Sequence, residues 1–400
     1  MASQQQNAAL AGIRVLDLGN FMAGPMAATW LGDFGADVIK VEHPRGDGVR
    51  HWGLTKKGDP LYWKMLSRNK RCITLNLAKP EGQQLLRKLV AKSDVLIENF
   101  TPGTMSKWKV GYEELSVVNP RLVMLSISAY GQTGPYSLRP GFGTLAEAMS
   151  GYAYISGAAD GPPTLPSFGL ADGIAGLNGA YGVLVGLRYR DAHGVGQHID
   201  TSLYEPLLTV LGPQVIEYDQ LGVVQERLGS RLPFSAPRNV YPTKDGKWLS
   251  MSSSAQSVYE RTMHAIGKPE LIKDERFLDN RKRGINVEAL DEEIGAWCRQ
   301  HTLQEAMEIL VKNEAAAAPV YSVADVVADP HVVERGSIAT VEDPNLGAVR
   351  MQAPSPRLSQ SPGSIRFTGQ ELGEHNNEVY ATLLGLGQAE LERLKHDGIV

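Results

Sequence analysis

The first 130 residues alternate short apolar strands with helical patterns, and this rhythm restricts the fold more than any other feature of the chain. Strands are predicted at 14–18, 37–42, 72–77, 94–99 and 121–128, and helices at about 25–34 and 79–92. Strands that are separated by helices in this way pair in parallel within one sheet. The sequence therefore predicts an α/β fold with a mostly parallel sheet.

The pattern changes in the second half of the chain. Further helices are predicted at about 173–189, 204–221 and 376–395, and strands at 196–203 and 247–254. Prolines are frequent in 223–245 and 335–364, which indicates linkers and loops, whereas 255–330 is helical and more charged. We therefore expect a smaller second domain between the two proline-rich segments.

Charge and cysteine content narrow the class of partner. The 400-residue chain has a formal net charge of -4 and no basic block, so nucleic acid and anionic membranes are not expected partners. The N-terminus has neither a basic region nor an apolar run typical of a signal peptide. The two cysteines, Cys72 and Cys298, cannot form a disulfide framework and favour a reducing compartment. We expect a soluble cytoplasmic protein that acts on a small molecule.

Several common catalytic motifs do not occur in the sequence. The loop after the first strand, LGNFMAGP, contains glycine and precedes a helix, but it is neither G-x-G-x-x-G nor a P-loop. The nine histidines show no metal-binding spacing, and no G-x-S-x-G is present. The stretch between His51 and His193 contains no histidine. We therefore predict no metal site and no histidine base in the central region.

Asp172 lies where a glycine-rich apolar helix is predicted to begin. Aspartate is a favoured N-cap residue, so the pattern by itself favours a structural role for this side chain. The same position also suits a nucleophile, because the helix dipole and free N–H groups would hold the carboxylate ionised and could stabilise an oxyanion. Gly173 and Gly176 would let a substrate approach closely. Both interpretations stay open on the pattern alone.

Ordered segments along nearly the whole chain resemble the class III coenzyme A transferases of the CaiB/BaiF type. The matching segments are GIRVLDLGNFMAGPMAATWLGDFGADVIKVEHPRGD, NKRCITLNLAKPEG, DVLIENFTPG, LSISAYGQTGPY, RPGFGTLAEAMSG, PPTLPSFGLADG, GQHIDTSLYE and LGEHNNEVYATLLGLG. The resemblance implies a large Rossmann-like domain built from both ends of the chain, 1–222 and 336–400. It also implies a small α+β domain with its linkers in 223–335, and an interlocked, ring-like homodimer.

The resemblance also implies a covalent mechanism. Asp172, in the LADG segment, would attack an acyl-CoA to give a mixed anhydride and then an aspartyl-CoA thioester, without a permanently bound cofactor or a metal. Coenzyme A enters as part of the substrate. The residues that match the family's CoA contacts are Met22, Ala23, His43, Arg45, Leu75, Asn76, Leu77, Ala78, Asn99, Phe100 and Lys107.

Three departures from the family pattern concern the choice of acid. Formyl-CoA transferase-like members have Gln where this chain has Met22 and Glu where it has Gly143. They have a glycine-rich lid where this chain has SSSAQS (252–257). The resemblance is closer to the branch that transfers CoA from succinyl-CoA to dicarboxylic or branched acids such as malate, citramalate or glutarate. A second carboxylate favours a bidentate guanidinium, for which Arg50, Arg139 and Arg238 are candidates.

Two other functions remain as alternatives. The α-methylacyl-CoA racemases of the same family use a histidine in a Gly-His-Asp segment, where this chain has Gly141-Phe142-Gly143. The second alternative is a noncatalytic CoA-binding protein, against which the intact LADG segment with Asp172 argues.

Overall fold

A computed structural model of the chain describes residues 7–400. Its main sheet has the strand order β5-β2-β1-β6-β7-β8, and every neighbouring pair is parallel. These strands are β1 Arg14–Asp17, β2 Asp37–Glu42, β5 Lys70–Thr74, β6 Val95–Glu98, β7 Val123–Ser128 and β8 Gln197–Ser202. A small hairpin between them is formed by β3 Thr55–Lys56 and β4 Asp59–Pro60. The predicted α/β class with a parallel sheet is confirmed.

α-Helices lie between these strands along the chain and continue after the last of them. In chain order they are α1 Ala23–Asp33, α2 Leu61–Leu66, α3 Pro80–Val90, α4 Thr104–Lys107, α5 Tyr112–Val118, α6 Gly143–Met149, α7 Tyr152–Ile155, α8 Leu170–His193, α9 Glu205–Val210 and α10 Gln214–Leu221. A short 3₁₀ helix spans Gly48–His51. Helix α3 begins with Pro80 and carries Glu81 in its first turn, where a missing N–H costs nothing and a negative charge meets the positive end of the helix.

The remaining elements follow α10. They are β9 Arg238–Pro242, β10 Trp248–Ser252, α11 Gln256–Ala265, a 3₁₀ helix Pro269–Ile272, α12 Asn280–Ile285, α13 Val287–Cys298, α14 Leu303–Lys312, β11 Ala317–Pro319, α15 Val323–Ala328, α16 Pro330–Glu334, β12 Ile338–Asp343, β13 Gly347–Gln352, α17 Asn376–Leu384 and α18 Gln388–His396. Strands β9, β10 and β11 form an antiparallel sheet, and β12 pairs with β13.

Two long helices predicted from the sequence are each divided in the structure. The predicted helix 204–221 is interrupted between α9 and α10, where Gly212 has a φ of +80° and Pro213 has no N–H to donate. The predicted helix 376–395 ends at Gly385, which adopts a left-handed φ of +70°, and resumes after Gly387. Both predicted helices are therefore interrupted at a glycine, in one case followed by a proline, although the apolar periodicity of the sequence continues beyond it.

Contacts divide the chain into two units. Among the described residues, the first unit comprises 7–152, 165–215 and 331–400, and the second comprises 153–164 and 216–330. The chain therefore leaves the large unit at Ile216 rather than at 223 and returns at His331 rather than at 336. The segment 153–164, which the sequence placed in the large domain, belongs to the second unit because it makes its contacts there.

Apolar side chains cover both faces of the main sheet. Alternate residues of each strand point to opposite faces, so Leu16 packs in one core and Val15 in the other. The first core includes α3 and the C-terminal helices, and the second includes α1 and α8. A Cβ on Gly176 would lie 2.9 Å from the Ala23 oxygen, so this glycine permits close packing of α8 on α1 and leaves no room for a substrate.

Helix α8 is the one helix within residues 7–400 that is long and apolar enough to cross a membrane. Only its length and composition meet this criterion, and 44% of its apolar stretch is buried inside the protein. Its buried side includes Ala175, Val183 and Leu187, which pack in the second core of the large unit. A core helix of a folded domain has the same composition.

The second unit fixes the segment 252–257 that replaces a glycine-rich lid. Arg283 is fully buried and donates to the Ser254 oxygen at 2.7 Å and to Gln256 Oε1 at 2.8 Å. The Ser253 hydroxyl accepts a hydrogen bond of 2.9 Å from Thr262 Oγ1. A buried guanidinium that is bonded to several acceptors holds its partners firmly, because leaving any of its donors unpaired would be costly. This segment is therefore an ordered part of the second unit.

Candidate active site

Asp172 lies in the first turn of α8 and is not its N-cap. The helix begins at Leu170, three residues before the predicted start, and Gly169 occupies the cap position without any side chain to offer. The predicted capping role of Asp172 is therefore wrong. Because the carboxylate does not cap the helix, it remains available for chemistry, and it accepts a hydrogen bond from its own backbone N–H.

The Asp172 carboxylate rests against glycine backbone. A Cβ on Gly143, the first residue of α6, would lie only 2.1 Å from Asp172 Oδ2. A Cβ on Gly169 would lie 2.5 Å from Met22 Cε and 3.6 Å from Asp172 Oδ2. The structure thus brings together three residues that the sequence singled out, namely Asp172, Gly143 and Met22. Any side chain at Gly143 would displace the carboxylate.

Electrostatics at Asp172 oppose ionisation rather than favour it. Burial and the negative charge of Glu147 raise the pKa of Asp172 to about 6, and its own backbone N–H lowers the pKa by less. The expectation that the helix end would hold this carboxylate ionised is wrong in direction, because burial and a like charge outweigh the dipole. At neutral pH the group is still mainly ionised, and its higher basicity makes it a better nucleophile.

Aromatic side chains from separate segments form a surface next to Gly143, the glycine that contacts Asp172. Burial and the charge of Asp172 raise the pKa of Tyr62. The Trp52 ring lies 6.4 Å from that of Tyr62 and 5.0 Å from that of Phe21, and Phe21 contacts Phe142 at 6.5 Å. Trp52 is 40% exposed and Phe142 is 63% exposed. Sequence reasoning missed this aromatic surface, because its members are far apart along the chain.

The residues that match the family's CoA contacts lie at the carboxyl edge of four neighbouring strands. Met22 and Ala23 follow β1, His43 and Arg45 follow β2, Leu75, Asn76, Leu77 and Ala78 follow β5, and Asn99 and Phe100 follow β6. Lys107 is exposed at the end of α4. Ligands of doubly wound sheets bind at this edge. The structure therefore gathers the predicted residues on one side of the sheet, and CoA binding by them stays a prediction.

Several of these side chains already have structural partners. Leu75 and Leu77 are buried in the core, so a ligand could reach only their backbone. Asn99 accepts from the Asn20 N–H and donates to the Asn20 oxygen, both at 2.7 Å. His43 Nδ1 accepts from the Arg45 N–H at 3.0 Å. Partial burial and the charge of Arg45 lower the pKa of His43.

The three candidate arginines differ in their availability. Arg50 makes two hydrogen bonds to Glu42, of 2.7 and 2.8 Å, and stacks over Trp63, so its guanidinium is not free for a substrate carboxylate. Arg139 is exposed and lies over the Tyr136 ring at 3.5 Å. Arg238 is in β9 of the second unit, where it donates to the Ser230 oxygen at 2.9 Å.

Buried charges that sequence reasoning missed hold the loop between β1 and α1. Lys40 donates to the Gly19 oxygen and forms an ion pair of 3.0 Å with Asp47. Asp47 accepts from the Phe21 N–H at 3.1 Å, which holds Phe21 at a left-handed φ of +59°. Asp17 accepts from the Gly19 N–H at 3.0 Å. The sequence did contain an indication of this cluster, because Asp17 and Lys40 are charged residues inside the otherwise apolar strands β1 and β2.

No group of three or more His, Cys, Asp or Glu side chains is arranged to hold a metal ion among residues 7–400. Cys72 and Cys298 are buried and unpaired. The site that the structure assembles around Asp172 consists of this carboxylate, glycine backbone and an aromatic surface.

Comparison with known proteins identifies the family. The model for CoA-transferase family III matches residues 10–376. This chain belongs to that family. The resemblance stated from the sequence is confirmed, and the protein is a family III CoA-transferase.

Similar proteins extend over the full length of the transferase. It is 42% identical over 402 residues to the succinyl-CoA–D-citramalate CoA-transferase of Chloroflexus aurantiacus, covering 100% of both chains. It is 42% identical over 396 residues to the succinyl-CoA–L-malate CoA-transferase beta subunit of the same organism, covering 98% of each. The crystal structure of a CAIB/BAIF family protein from Brucella suis has a TM-score of 0.83 and 33% identity, covering 94% of this chain and 100% of that one.

The raised pKa of Asp172 predicts a stabilising substitution. An acid with a folded-state pKa above its unfolded value destabilises the folded protein where it is ionised, so the penalty is absent below pH 3.8 and complete above about pH 6. We expect Asp172→Asn to raise the free energy of unfolding at pH 8 by about 1–3 kcal/mol. Urea unfolding at several pH values measures this, and an equal gain at pH 3.5 would contradict the electrostatic cause.

Proposed function

We propose that this transferase moves CoA from succinyl-CoA to a dicarboxylic acid through a covalent bond to Asp172. The observation that carries the proposal is the placement of Asp172, which is largely buried, lies in the first turn of α8 and has no space-filling side chain in front of it at Gly143. No ion pair engages this carboxylate among the residues that the structure describes. A carboxylate without a cation partner retains its lone pairs for attack on a carbonyl carbon.

The reaction proceeds through two exchanges at the carboxylate. An Asp172 oxygen attacks the thioester carbon, the C–S bond breaks, and CoA leaves as a thiolate while a mixed anhydride forms. The thiolate then attacks the Asp172 carbonyl carbon, which releases the donor acid as a carboxylate and leaves an aspartyl-CoA thioester. The acceptor carboxylate reverses both steps and takes the CoA. No proton transfer, metal or nucleotide hydrolysis is needed, because the energy of the thioester is kept in each intermediate.

The relatives support a dicarboxylate as the acid. The two Chloroflexus proteins are named for succinyl-CoA, D-citramalate and L-malate, and each matches this chain over almost its full length. Because the Arg50 guanidinium is already hydrogen-bonded to Glu42, the second carboxylate of the substrate requires another cation or polar group. Arg139, which is exposed in the segment before Gly143, is the candidate that the large unit leaves accessible.

A racemase mechanism requires a base on the opposite side of the α-carbon from the aspartate. The charge that raises the pKa of Asp172 beside burial is that of Glu147, and the charge of Asp172 adds to burial in raising the pKa of Tyr62; neither residue is a histidine. Glu147 is buried and bonded to the backbone of α8, so it does not face a substrate across the site. Transferase chemistry therefore suits this set of groups better.

The proposed nucleophile predicts complete dependence of transfer on Asp172. The protein is incubated with succinyl-CoA and a panel of acids that includes malate, citramalate and glutarate, and CoA esters are followed by mass spectrometry. We expect new CoA esters with the unmodified protein, background levels with Asp172→Ala, and normal transfer with the exposed control Asp160→Ala. Borohydride trapping should modify Asp172. Epimerisation of a 2-methylacyl-CoA without any acceptor acid would contradict the proposal.

The contact between Gly143 and the nucleophile predicts a second loss of activity. The Cβ of Gly143→Ala would stand 2.1 Å from Asp172 Oδ2 and would push the carboxylate aside. We expect transfer to fall by about 100-fold or more, the usual effect of misplacing a catalytic group by about 1 Å. Gly387→Ala is the control, because a Cβ there meets no atom within 4 Å. Full activity of Gly143→Ala would show that the carboxylate is not held against this glycine when it reacts.

We further propose that the protein is a homodimer in which a second copy covers the exposed side of α8. Leu177, Tyr181, Leu184 and Val185 follow one another at helical spacing and are all exposed. An exposed apolar stripe of this length marks an interaction surface. In the interlocked dimer that the family resemblance implies, the second copy of the chain would cover this stripe.

Light scattering after gel filtration tests this dimer. We expect twice the chain mass of 43.5 kDa, and a smaller fraction of that species for Tyr181→Glu. Val117→Glu, which adds the same charge at an exposed apolar residue of α5, is expected to have no effect. A monomer that sediments with phospholipid vesicles would instead identify the α8 stripe as a membrane surface.

A further inference from the structure

Glu147 is a buried carboxylate beside the nucleophile for which the proposed reaction has no use. It is 2% exposed, and its Oε1 accepts a hydrogen bond of 3.1 Å from the Ala171 N–H. No lysine or arginine pairs with it in the described part of the chain. A buried carboxylate without a cation is costly, so its position calls for an explanation.

One explanation is local to α8. The cap residue Gly169 has no side chain, so the Ala171 N–H, which is among the unpaired donors of the first turn, would otherwise be buried without a partner. Glu147 supplies the missing acceptor from another helix. It lies four residues after Gly143 on α6, and residues four apart share one face of a helix. One face of α6 therefore contacts the first turn of α8 twice. Gly143 lies against the Asp172 carboxylate, and Glu147 holds the neighbouring Ala171 backbone.

A neutral amide or hydroxyl could accept the same hydrogen bond without the cost of a buried charge. What distinguishes Glu147 is its negative charge, which adds to burial in raising the pKa of Asp172, as the charge of Asp172 adds to burial in raising the pKa of Tyr62 in α2. Repulsion between two carboxylates disappears when one of them is neutral. Conversion of Asp172 into an anhydride or a thioester removes its charge just as protonation does.

We propose that Glu147 is a positioning residue that anchors the first turn of α8 and uses its buried charge to favour the neutral, CoA-bonded state of Asp172 over the free carboxylate. This proposal rests on the covalent transfer proposed above. In the first exchange, the charge is transferred from Asp172 to the released donor acid, which carries it into solvent away from Glu147. The charge balance is complete without any further reactant.

The variant Glu147→Gln tests the proposal, because glutamine keeps an acceptor for the Ala171 N–H and loses the charge. The first measurement is a ¹³C titration of the Asp172 carboxyl, assigned by its disappearance in Asp172→Asn. The second is the fraction of protein carrying CoA at a fixed ratio of succinyl-CoA to succinate, measured by mass spectrometry. Glu114→Gln, at an exposed glutamate of α5, is the matched control.

We expect Glu147→Gln to move the Asp172 titration to lower pH and to reduce the equilibrium constant for adduct formation. The two changes should agree, because both measure the same neutralisation: the equilibrium constant should fall about tenfold when the titration midpoint falls by one pH unit. The acid limb of kcat/KM should move to lower pH in parallel. An unchanged titration together with an unchanged adduct fraction would overturn the proposal.

Two further results separate the possible failures. If Glu147→Gln does not fold, as judged by circular dichroism, Glu147→Met removes the same charge with a side chain of similar length, and its expected effects on the titration and the adduct are the same. If the unmodified protein forms no CoA adduct, the proposed transfer mechanism fails, while the ¹³C titration still decides whether the charge of Glu147 acts on Asp172.

Discussion

The site depends on a cluster of buried charges under the loop that joins β1 to α1. Asp17, Lys40 and Lys70 are fully buried, and Lys70 pairs with Asp17 at 2.8 Å while donating to the Pro25 oxygen in the first turn of α1. Removal of one partner from such a cluster typically costs about 3–5 kcal/mol, since the remaining charge stays buried. The cluster fixes the loop by its backbone, and the loop in turn places Met22 against Gly169 beside Asp172.

At Asp172, opposing electrostatic effects act on a single carboxylate. The positive end of α8 and the Asp172 N–H favour the charged form, whereas burial and Glu147 favour the neutral form and prevail. A helix dipole acts with only a fraction of a charge and is worth about 0.3–1 kcal/mol near a surface. Burial of the carboxylate, together with the full negative charge of Glu147, outweighs this dipole. This is why the position of a carboxylate in the first turn of a helix did not by itself predict the direction of its pKa shift.

The sequence predicted the parallel sheet well, because buried strands between helices have a clear apolar pattern, as β2 and β6 show. It predicted the ends of elements less well. Gly212 and Gly385 ended helices whose apolar pattern continued, and Gly169 allowed α8 to start three residues early. Asp172 was proposed as a nucleophile from the family resemblance, since the local pattern favoured a cap, and this role stays a prediction. The aromatic surface and Glu147 were missed because both depend on contacts between distant segments, such as the bond from Ala171 to Glu147.

On the proposed mechanism, a raised pKa at Asp172 changes the two halves of the reaction in opposite directions. Free carboxylic acids of this kind ionise at about pH 4.3, below the value of about 6 for Asp172, so a donor acid leaves more readily than the protein carboxylate when the thiolate attacks the anhydride. In the second half the protein carboxylate must leave, and the same difference slows that step. The pKa of Asp172 therefore cannot set the direction of transfer, which the two acyl-CoA thioesters determine between them. The pKa of Asp172 does set the fraction of the protein that carries CoA after the donor acid has left and before the acceptor reacts. On this proposal, burial of Asp172 and the nearby charge of Glu147 make that fraction larger.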